Sequence, residues 1–181
     1  VAEPYVLFVG QIYRYKMAHV LAEAFCRVVR EKNLPHRLVI VGSFAQVHGM
    51  GEAYRQQIVK TMEDAGLGDR LVIVSGIGVH ELRAVYANAQ VYVQSSTAET
   101  FGRTVLEAMA CGTAVLAARA GATPEILGDA GLYYDAQSVE DCARKLAILI
   151  GDTALRQELI IKGLARARLF SFEAEVGKLV R

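Results

Sequence analysis

Two carboxylates, Glu99 and Glu107, stand eight residues apart in the segment Ser95–Gly112. A carboxylate only accepts hydrogen bonds, and its two oxygens can take both hydroxyls of one vicinal diol. The segment predicts a loop that turns at Gly102 into a helix. Glu99 then lies on the loop and Glu107 about two turns down the helix. This arrangement is suited to holding a sugar on one side and a ribose on the other.

The junction between loop and helix is a second chemical feature. The first backbone N–H groups of a helix have no partner within it, so they attract an anion such as phosphate. Two carboxylates beside such a junction could hold a sugar and a ribose around a phosphate. The spacing alone also fits a solvated helix residue at Glu107 and a cap at Glu99, and by itself it favours that plainer alternative.

Six short apolar runs predict the strands that must position this segment. Each run is continuous rather than alternating, which is typical of strands buried on both faces of a parallel sheet. Stretches with helical period separate them, so the chain is predicted to be α/β, a doubly wound, Rossmann-like parallel sheet of about six strands. The runs are Tyr5–Val9, Arg37–Val41, Leu71–Val74, Val91–Gln94, Ala114–Ala117 and Leu132–Tyr134.

Glycines follow three of these runs, at the carboxyl ends of strands, where open α/β sheets bind ligands. They are Gly10, Gly42 and Gly76. From Ser138 onward the sequence predicts extra C-terminal helices only. Gly151 ends the first of them and Asp152 caps the second. Ser171 is expected to cap a last helix, Phe172–Arg181.

Composition limits the classes of protein that this chain can belong to. Its 181 residues are 53% hydrophobic with a net charge of +1, which excludes disorder and a large nucleic-acid interface. No apolar run reaches the roughly 18 residues of a membrane helix. Three widely spaced cysteines favour a reduced, cytoplasmic protein without disulfides or a zinc site. One domain over residues 1–181 is expected.

The whole string resembles a known family signature. It is similar to the C-terminal, nucleotide-sugar-binding domain of GT-B glycosyltransferases of group 1, the retaining family 4 type. Two blocks match most closely, Glu99–Arg103 (Glu-Thr-Phe-Gly-Arg) and Leu106–Val115 (Leu-Glu-Ala-Met-Ala-Cys-Gly-Thr-Ala-Val). Further matches along the chain are Phe8–Gly10, Leu38–Gly42, Gly121–Ile126 and Phe170–Phe172.

The resemblance implies roles for the matched residues. Members of this family hold the ribose diol with the second glutamate, here Glu107, and hydroxyls of the transferred sugar with the first, here Glu99. Backbone amides between them face the sugar and the diphosphate, and the strand end at Val74–Ile77 binds the base. The implied nucleotide-sugar-binding residues are Gly10, Gln11, Lys16, Gly42, Gly76, Ile77, Glu99, Thr100, Phe101, Gly102, Thr104, Val105 and Glu107.

The resemblance also implies a basic pair after the first strand. Lys16 matches the family lysine that neutralises the departing diphosphate, whereas the usual arginine is replaced by the uncharged Gln11. Arg14, three residues further on, either restores that charge from a new position or is an exposed loop charge. The implied catalytic residues are Glu99, Lys16 and Arg14, with Glu99 orienting the sugar rather than attacking it.

A family member of this kind transfers a sugar from a UDP- or GDP-sugar to an acceptor hydroxyl with retention of configuration. The nucleotide-sugar is a substrate, and no cofactor or metal is expected, because a helix N-terminus and basic side chains stabilise the leaving phosphates. We expect the N-terminal acceptor domain to lie outside this sequence, so that the chain alone is inactive. Peripheral membrane association through the parent enzyme is compatible with the sequence.

Three other functions were weighed against this one. A UDP-sugar epimerase-like GT-B domain lacks the Glu-Phe-Gly and Glu-Ala-Met string. A non-catalytic nucleotide-sugar-binding module is favoured only by Gln11 in place of arginine. An NAD-binding Rossmann domain is disfavoured because Gly76–Glu81 does not complete the dinucleotide fingerprint.

Overall fold

Short β-branched runs form one parallel sheet, as predicted. A computed structural model describes residues 3–44 and 50–170, without the side chain of Met50. Neighbouring strands in the order β3-β2-β1-β4-β5-β6 are all parallel. The strands are β1 (Tyr5–Val9), β2 (Arg37–Val41), β3 (Leu71–Val74), β4 (Val91–Gln94), β5 (Ala114–Ala118) and β6 (Gly131–Tyr134).

Helices cover both faces of this sheet, which confirms the doubly wound α/β prediction. The helices are α1 (Ala18–Lys32), α2 (Met50–Asp64), α3 (Val79–Asn88), α4 (Arg103–Ala110), α5 (Thr123–Leu127), α6 (Val139–Gly151) and α7 (Thr153–Ala167). Short 3-10 turns occupy Arg14–Lys16, Gly68–Arg70 and Arg168–Phe170. None of the helices that the described residues form is long and apolar enough to cross a bilayer.

The predicted strand bounds differ from the structure at two ends only. β5 continues one residue further, to Ala118, and β6 begins one residue earlier, at Gly131. A Cβ at Gly131 would lie 2.6 Å from the Val115 carbonyl oxygen, so this strand start has room only for glycine. Glycine is a poor strand former, which is why the sequence pattern missed it.

The C-terminal helices also follow the sequence. α6 ends at Gly151, and the Asp152 carboxylate accepts the backbone N–H of Leu155 at 2.9 Å. Both predictions are therefore confirmed. The predicted cap at Ser171 and the helix Phe172–Arg181 lie outside the described residues.

Successive side chains of β1 lie on opposite faces of the sheet, and both faces are buried, which explains why its run is continuously apolar. Val6 and Phe8 belong to one buried cluster, which includes side chains of α1 and α6. Leu7 and Val9 belong to the other, with side chains of α4. Each face of the strand is buried against helices, as expected in a parallel sheet. The helix that carries Glu107 is thereby fixed to the same face as Leu7.

The strand order reverses between β1 and β4, which are direct neighbours. Ligands of open α/β sheets bind in the crevice outside the carboxyl ends of the strands at such a switch point. The backbones of Gly10 and Gly42 come very close to each other near this edge. Gly42 has φ of +149°, and a Cβ placed on it would lie 1.9 Å from the Gly10 carbonyl oxygen.

A side chain at Gly42 should therefore destabilise the fold. We expect Gly42→Ala to lower the free energy of unfolding by about 3 kcal/mol, because neither the φ angle nor the contact with Gly10 can relax cheaply. Urea denaturation followed by circular dichroism measures the change.

Gly151→Ala is the matched control. Nothing lies within 4 Å of a Cβ on Gly151 at the end of α6. This variant should leave stability unchanged or raise it by at most about 1 kcal/mol, since alanine is the better helix former. Equal effects of the two substitutions would contradict the steric argument.

Candidate donor site

The structure joins Lys16 to Glu99, although 83 residues separate them in sequence. Lys16 Nζ donates to Glu99 Oε2 at 2.8 Å, and the two side chains are only 20% and 13% exposed. Lys16 lies in the 3-10 turn after β1, and Glu99 lies on the loop after β4. The two loops leave the same edge of the sheet because β1 and β4 are adjacent parallel strands.

Further hydrogen bonds hold these two loops together. The Ser95 hydroxyl donates to the Lys16 carbonyl oxygen at 2.5 Å. The Tyr15 carbonyl oxygen accepts from both the backbone N–H and the hydroxyl of Thr97, at 2.9 and 3.1 Å. Sequence reasoning did not predict these contacts. The available signal was a run of hydroxyl residues directly after a buried strand.

The surroundings of Glu99 hold it in the ionised state. Burial raises the pKa of Glu99, but the Lys16 ammonium and the backbone N–H groups of Gly102 and Phe101 outweigh burial and leave the pKa below its ordinary value. The N–H of Gly102 donates to Glu99 Oε1 at 3.3 Å. The carboxylate therefore lies beside the N-terminus of α4.

The loop after β5 fixes the backbone of Glu99. The Ala122 N–H donates to the Glu99 carbonyl oxygen at 2.9 Å. Gly121 has φ of +53°, and a Cβ on it would lie 2.3 Å from that same oxygen. This close approach explains physically why the Gly121–Ile126 segment belongs with the glutamate loop. The sequence linked the two only through the family resemblance.

Glu107 lies in the second turn of α4 and is held by Tyr86, to which the sequence assigned no role at the site. The Tyr86 hydroxyl donates to Glu107 Oε2 at 2.9 Å, while Arg103 Nε lies 3.9 Å from Oε1. Tyr86 is buried, and burial raises its pKa, so it remains a neutral donor. The Glu107 side chain is 38% exposed, which leaves oxygen lone pairs accessible to a ligand hydroxyl.

Between the two carboxylates the chain makes the turn that the sequence predicted. Gly102 is the N-cap of α4 with φ of +85°. Phe101 is 54% exposed, and Thr100 is exposed beside it. Thr104 accepts the Tyr92 hydroxyl at 2.8 Å, and Val105 is buried, so the first helical turn is fixed to the sheet beneath it.

Sequence comparison identifies the family. The family described as "Glycosyl transferases group 1" matches residues 1–166. The chain belongs to the group 1 glycosyltransferases. It is 32% identical over 177 residues to a D-inositol 3-phosphate glycosyltransferase of Streptosporangium roseum, covering 96% of this chain and 40% of that protein. The chain thus spans less than half the length of such curated relatives.

Solved structures of glycosyltransferases share the fold. Sucrose-phosphate synthase of Thermosynechococcus elongatus is 31% identical with a TM-score of 0.85, over 99% of this chain and 45% of that one. The C-terminal domain of a group 1 glycosyl transferase of Francisella tularensis is 26% identical with a TM-score of 0.82, over 93% and 87% of the two chains. The Rossmann-like GT-B assignment is confirmed.

The remaining residues expected from the family resemblance lie around the same sheet edge. Gly10 and Gly42 directly follow β1 and β2, and Gln11 is exposed next to Gly10. Gly76, with φ of +72°, and the half-buried Ile77 follow β3, which is two strands away from β1. Their roles in binding a nucleotide stay predictions.

Arg14 is directed away from Glu99. Its guanidinium donates to Gln57 Oε1 of α2 at 3.2 Å and lies 5.9 Å from the centre of the Tyr54 ring. The structure therefore places Lys16, and not Arg14, in contact with the Glu99 carboxylate. A catalytic role for Arg14 stays a prediction.

In the described ranges 3–44 and 50–170, no three histidine, cysteine, aspartate or glutamate side chains are grouped so that they could hold a metal ion. Metal-independent sugar transfer stays a prediction.

The pairing of Lys16 with Glu99 predicts a specific pH dependence. Because the folded-state pKa of Glu99 lies below 4.5, the pair stabilises the fold above that pH and loses its effect as the pH falls through the folded pKa. Lys16→Met should lower the free energy of unfolding by about 2 kcal/mol near neutral pH, and by progressively less in acid. Urea titrations between pH 7 and 3 measure the difference.

Lys162→Met serves as the control for this prediction. Lys162 pairs with Glu158 at 2.9 Å on the surface of α7, where both side chains are well exposed. Its loss should cost less than about 1 kcal/mol. A Lys16→Met effect that stays constant down to pH 3 would show that Glu99 is not the partner.

Proposed function

We propose that this chain is the donor-binding half of a retaining glycosyltransferase. The enzyme would transfer a sugar from a UDP- or GDP-sugar to an acceptor hydroxyl. The main support is the pair of Lys16 and Glu99 beside the N-terminus of α4, with Glu107 in the second turn of that helix. A cation, a helix N-terminus and two carboxylates are the groups that a diphosphate flanked by two diols requires.

In the proposed reaction the bond between the anomeric carbon and the diphosphate breaks, and negative charge builds on the leaving phosphate. Lys16 and the backbone N–H groups at the start of α4 would stabilise that charge. Loss of one such group typically costs a few kcal/mol of transition-state stabilisation. Because Lys16 already touches Glu99, one ammonium can face the phosphate and the carboxylate together.

The two glutamates would hold the two ends of the donor. Glu99, kept ionised by Lys16 and the Gly102 N–H, would accept hydrogen bonds from hydroxyls of the transferred sugar. It would orient the sugar so that the acceptor attacks the face from which the diphosphate departs. Glu107 would accept hydrogen bonds from the ribose diol, while the Tyr86 hydroxyl donates to its other carboxylate oxygen.

A second candidate is a non-catalytic nucleotide-sugar-binding module of the same family. The position of Arg14 favours it, because Arg14 contacts α2 while Gln11 is uncharged, which leaves Lys16 as the cation on Glu99. In the full-length enzyme, a large gain in rate from Gln11→Arg would support impaired catalysis in the natural sequence. An active natural enzyme that gains nothing from the change would reject it.

The cellular setting and the acceptor side of the reaction belong to the same proposal. Cys26, Cys111 and Cys142 are free thiols, which a reducing, cytoplasmic compartment maintains. Since GT-B sites lie between two domains, we expect the chain alone to bind donor but not to catalyse transfer. The acceptor, and any peripheral membrane contact, would depend on the rest of the enzyme.

Calorimetric titration with UDP, GDP and ADP tests donor binding. We expect saturable binding of one nucleotide, and at least about tenfold weaker binding to Glu107→Gln, because the ribose hydroxyls lose a charged acceptor. Failure of the chain to bind any of the three at millimolar concentration would contradict the proposal.

Glu158→Gln is the matched control for this titration. Like Glu107, Glu158 is a helix carboxylate with a cation four residues away, Lys162. Its exchange should leave the affinity unchanged. If both variants weaken binding equally, the effect reports net charge rather than contact with the ribose.

Removal of metal tests the proposed electrostatics. The dissociation constant of the bound nucleotide should be the same in EDTA as in millimolar Mg²⁺, because Lys16 and the N-terminus of α4 supply the positive potential. Lys16→Met should weaken diphosphate binding under both conditions. Binding that appears only with Mg²⁺ would contradict metal independence.

A further inference from the structure

Tyr15 directly precedes Lys16, and its ring is 44% exposed at the edge of the candidate site. Lys16 Nζ lies over the face of this ring, 5.4 Å from its centre. The same nitrogen donates to Glu99 at 2.8 Å. The ammonium therefore has two partners, a carboxylate and an aromatic face, and attraction between a cation and a ring face is effective at this range.

Tyr15 is held in place through both its ring and its backbone. Tyr13 stacks on Tyr15 with ring centres 5.4 Å apart and planes inclined by 16°. The Tyr15 carbonyl oxygen accepts two hydrogen bonds from Thr97, on the loop that continues to Glu99. Lys16, on its flexible four-carbon stem, thus places its ammonium against a ring that is stacked on a second aromatic ring.

We propose that Tyr15 is a positioning residue for Lys16, which keeps the ammonium beside the N-terminus of α4 when Glu99 engages a sugar. An aromatic face attracts a cation without neutralising its charge and without accepting its proton. The full charge of Lys16 thereby stays available to a diphosphate. A second carboxylate at this position would instead compete with the phosphate. This inference rests on the proposed donor-binding function.

The role predicts a loss confined to the phosphate part of the ligand. Tyr15→Leu should weaken binding of the preferred nucleoside diphosphate, among UDP, GDP and ADP, by about two- to fivefold. Binding of the matching nucleoside, uridine, guanosine or adenosine, should not change. Tyr15→Phe keeps the ring face and should retain the wild-type affinity for both ligands.

A double-mutant cycle tests whether Tyr15 acts through Lys16. In a Lys16→Met background, Tyr15→Leu should have no further effect on diphosphate affinity. If the effect persists there, or extends to the nucleoside, Tyr15 contacts the ligand itself or merely supports the loop, and the inference is wrong.

A measurement without nucleotide separates this inference from the proposed function. The ε-protons of Lys16 should show an upfield ring-current shift in the NMR spectrum, which Tyr15→Phe keeps and Tyr15→Leu abolishes. Equal shifts in all three proteins would overturn the positioning role even if donor binds. Failure of the wild-type chain to bind any nucleotide, with the ring-current shift present, would reject the function but retain the contact. Circular dichroism checks that each variant is folded.

Discussion

Parallel pairing of β1 with β4 is the interaction on which the candidate site depends. It makes neighbours of two loops whose charged residues are 83 positions apart, and it does so at the point where the strand order reverses. The ion pair between Lys16 and Glu99, and the hydrogen bonds of Ser95 and Thr97, are consequences of that adjacency. Any change that separates these strands would remove the site without touching a charged residue.

Glu99 and Glu107 are both carboxylates of the candidate site, but their surroundings differ. Glu99 is mostly buried and depends on a cation and backbone N–H groups to remain ionised. Glu107 is more exposed and is held by the neutral hydroxyl of Tyr86. A site for a dianionic ligand benefits from this division, because each carboxylate near the phosphates must be offset or kept at a distance. Here the Lys16 ammonium offsets the charge of Glu99, and the neutral Tyr86 hydroxyl holds Glu107 without adding charge.

The strands could be predicted to within one residue because continuous β-branched runs are a local signal of burial on both faces. Glu99, Glu107 and Lys16 could also be predicted as site residues, since sequence motifs mark them. The predicted topology brings their loops to one edge of the sheet. The contacts of Tyr86 and Ser95 could not be predicted, because their partners lie 21 and 79 residues away and leave no local pattern. The direction of Arg14 depends on side-chain packing against α2, which spacing does not encode.

Gly10 and Gly42 meet backbone to backbone, with no space for a side chain on Gly42. Peptide groups of these two glycines form this part of the sheet edge, and they are the same whatever the neighbouring sequence. For the proposed function, discrimination between donors would then depend on side chains in the loops after β1, β3 and β4. A directed-evolution library for altered donor preference in the proposed enzyme should randomise those side chains and keep Gly10 and Gly42.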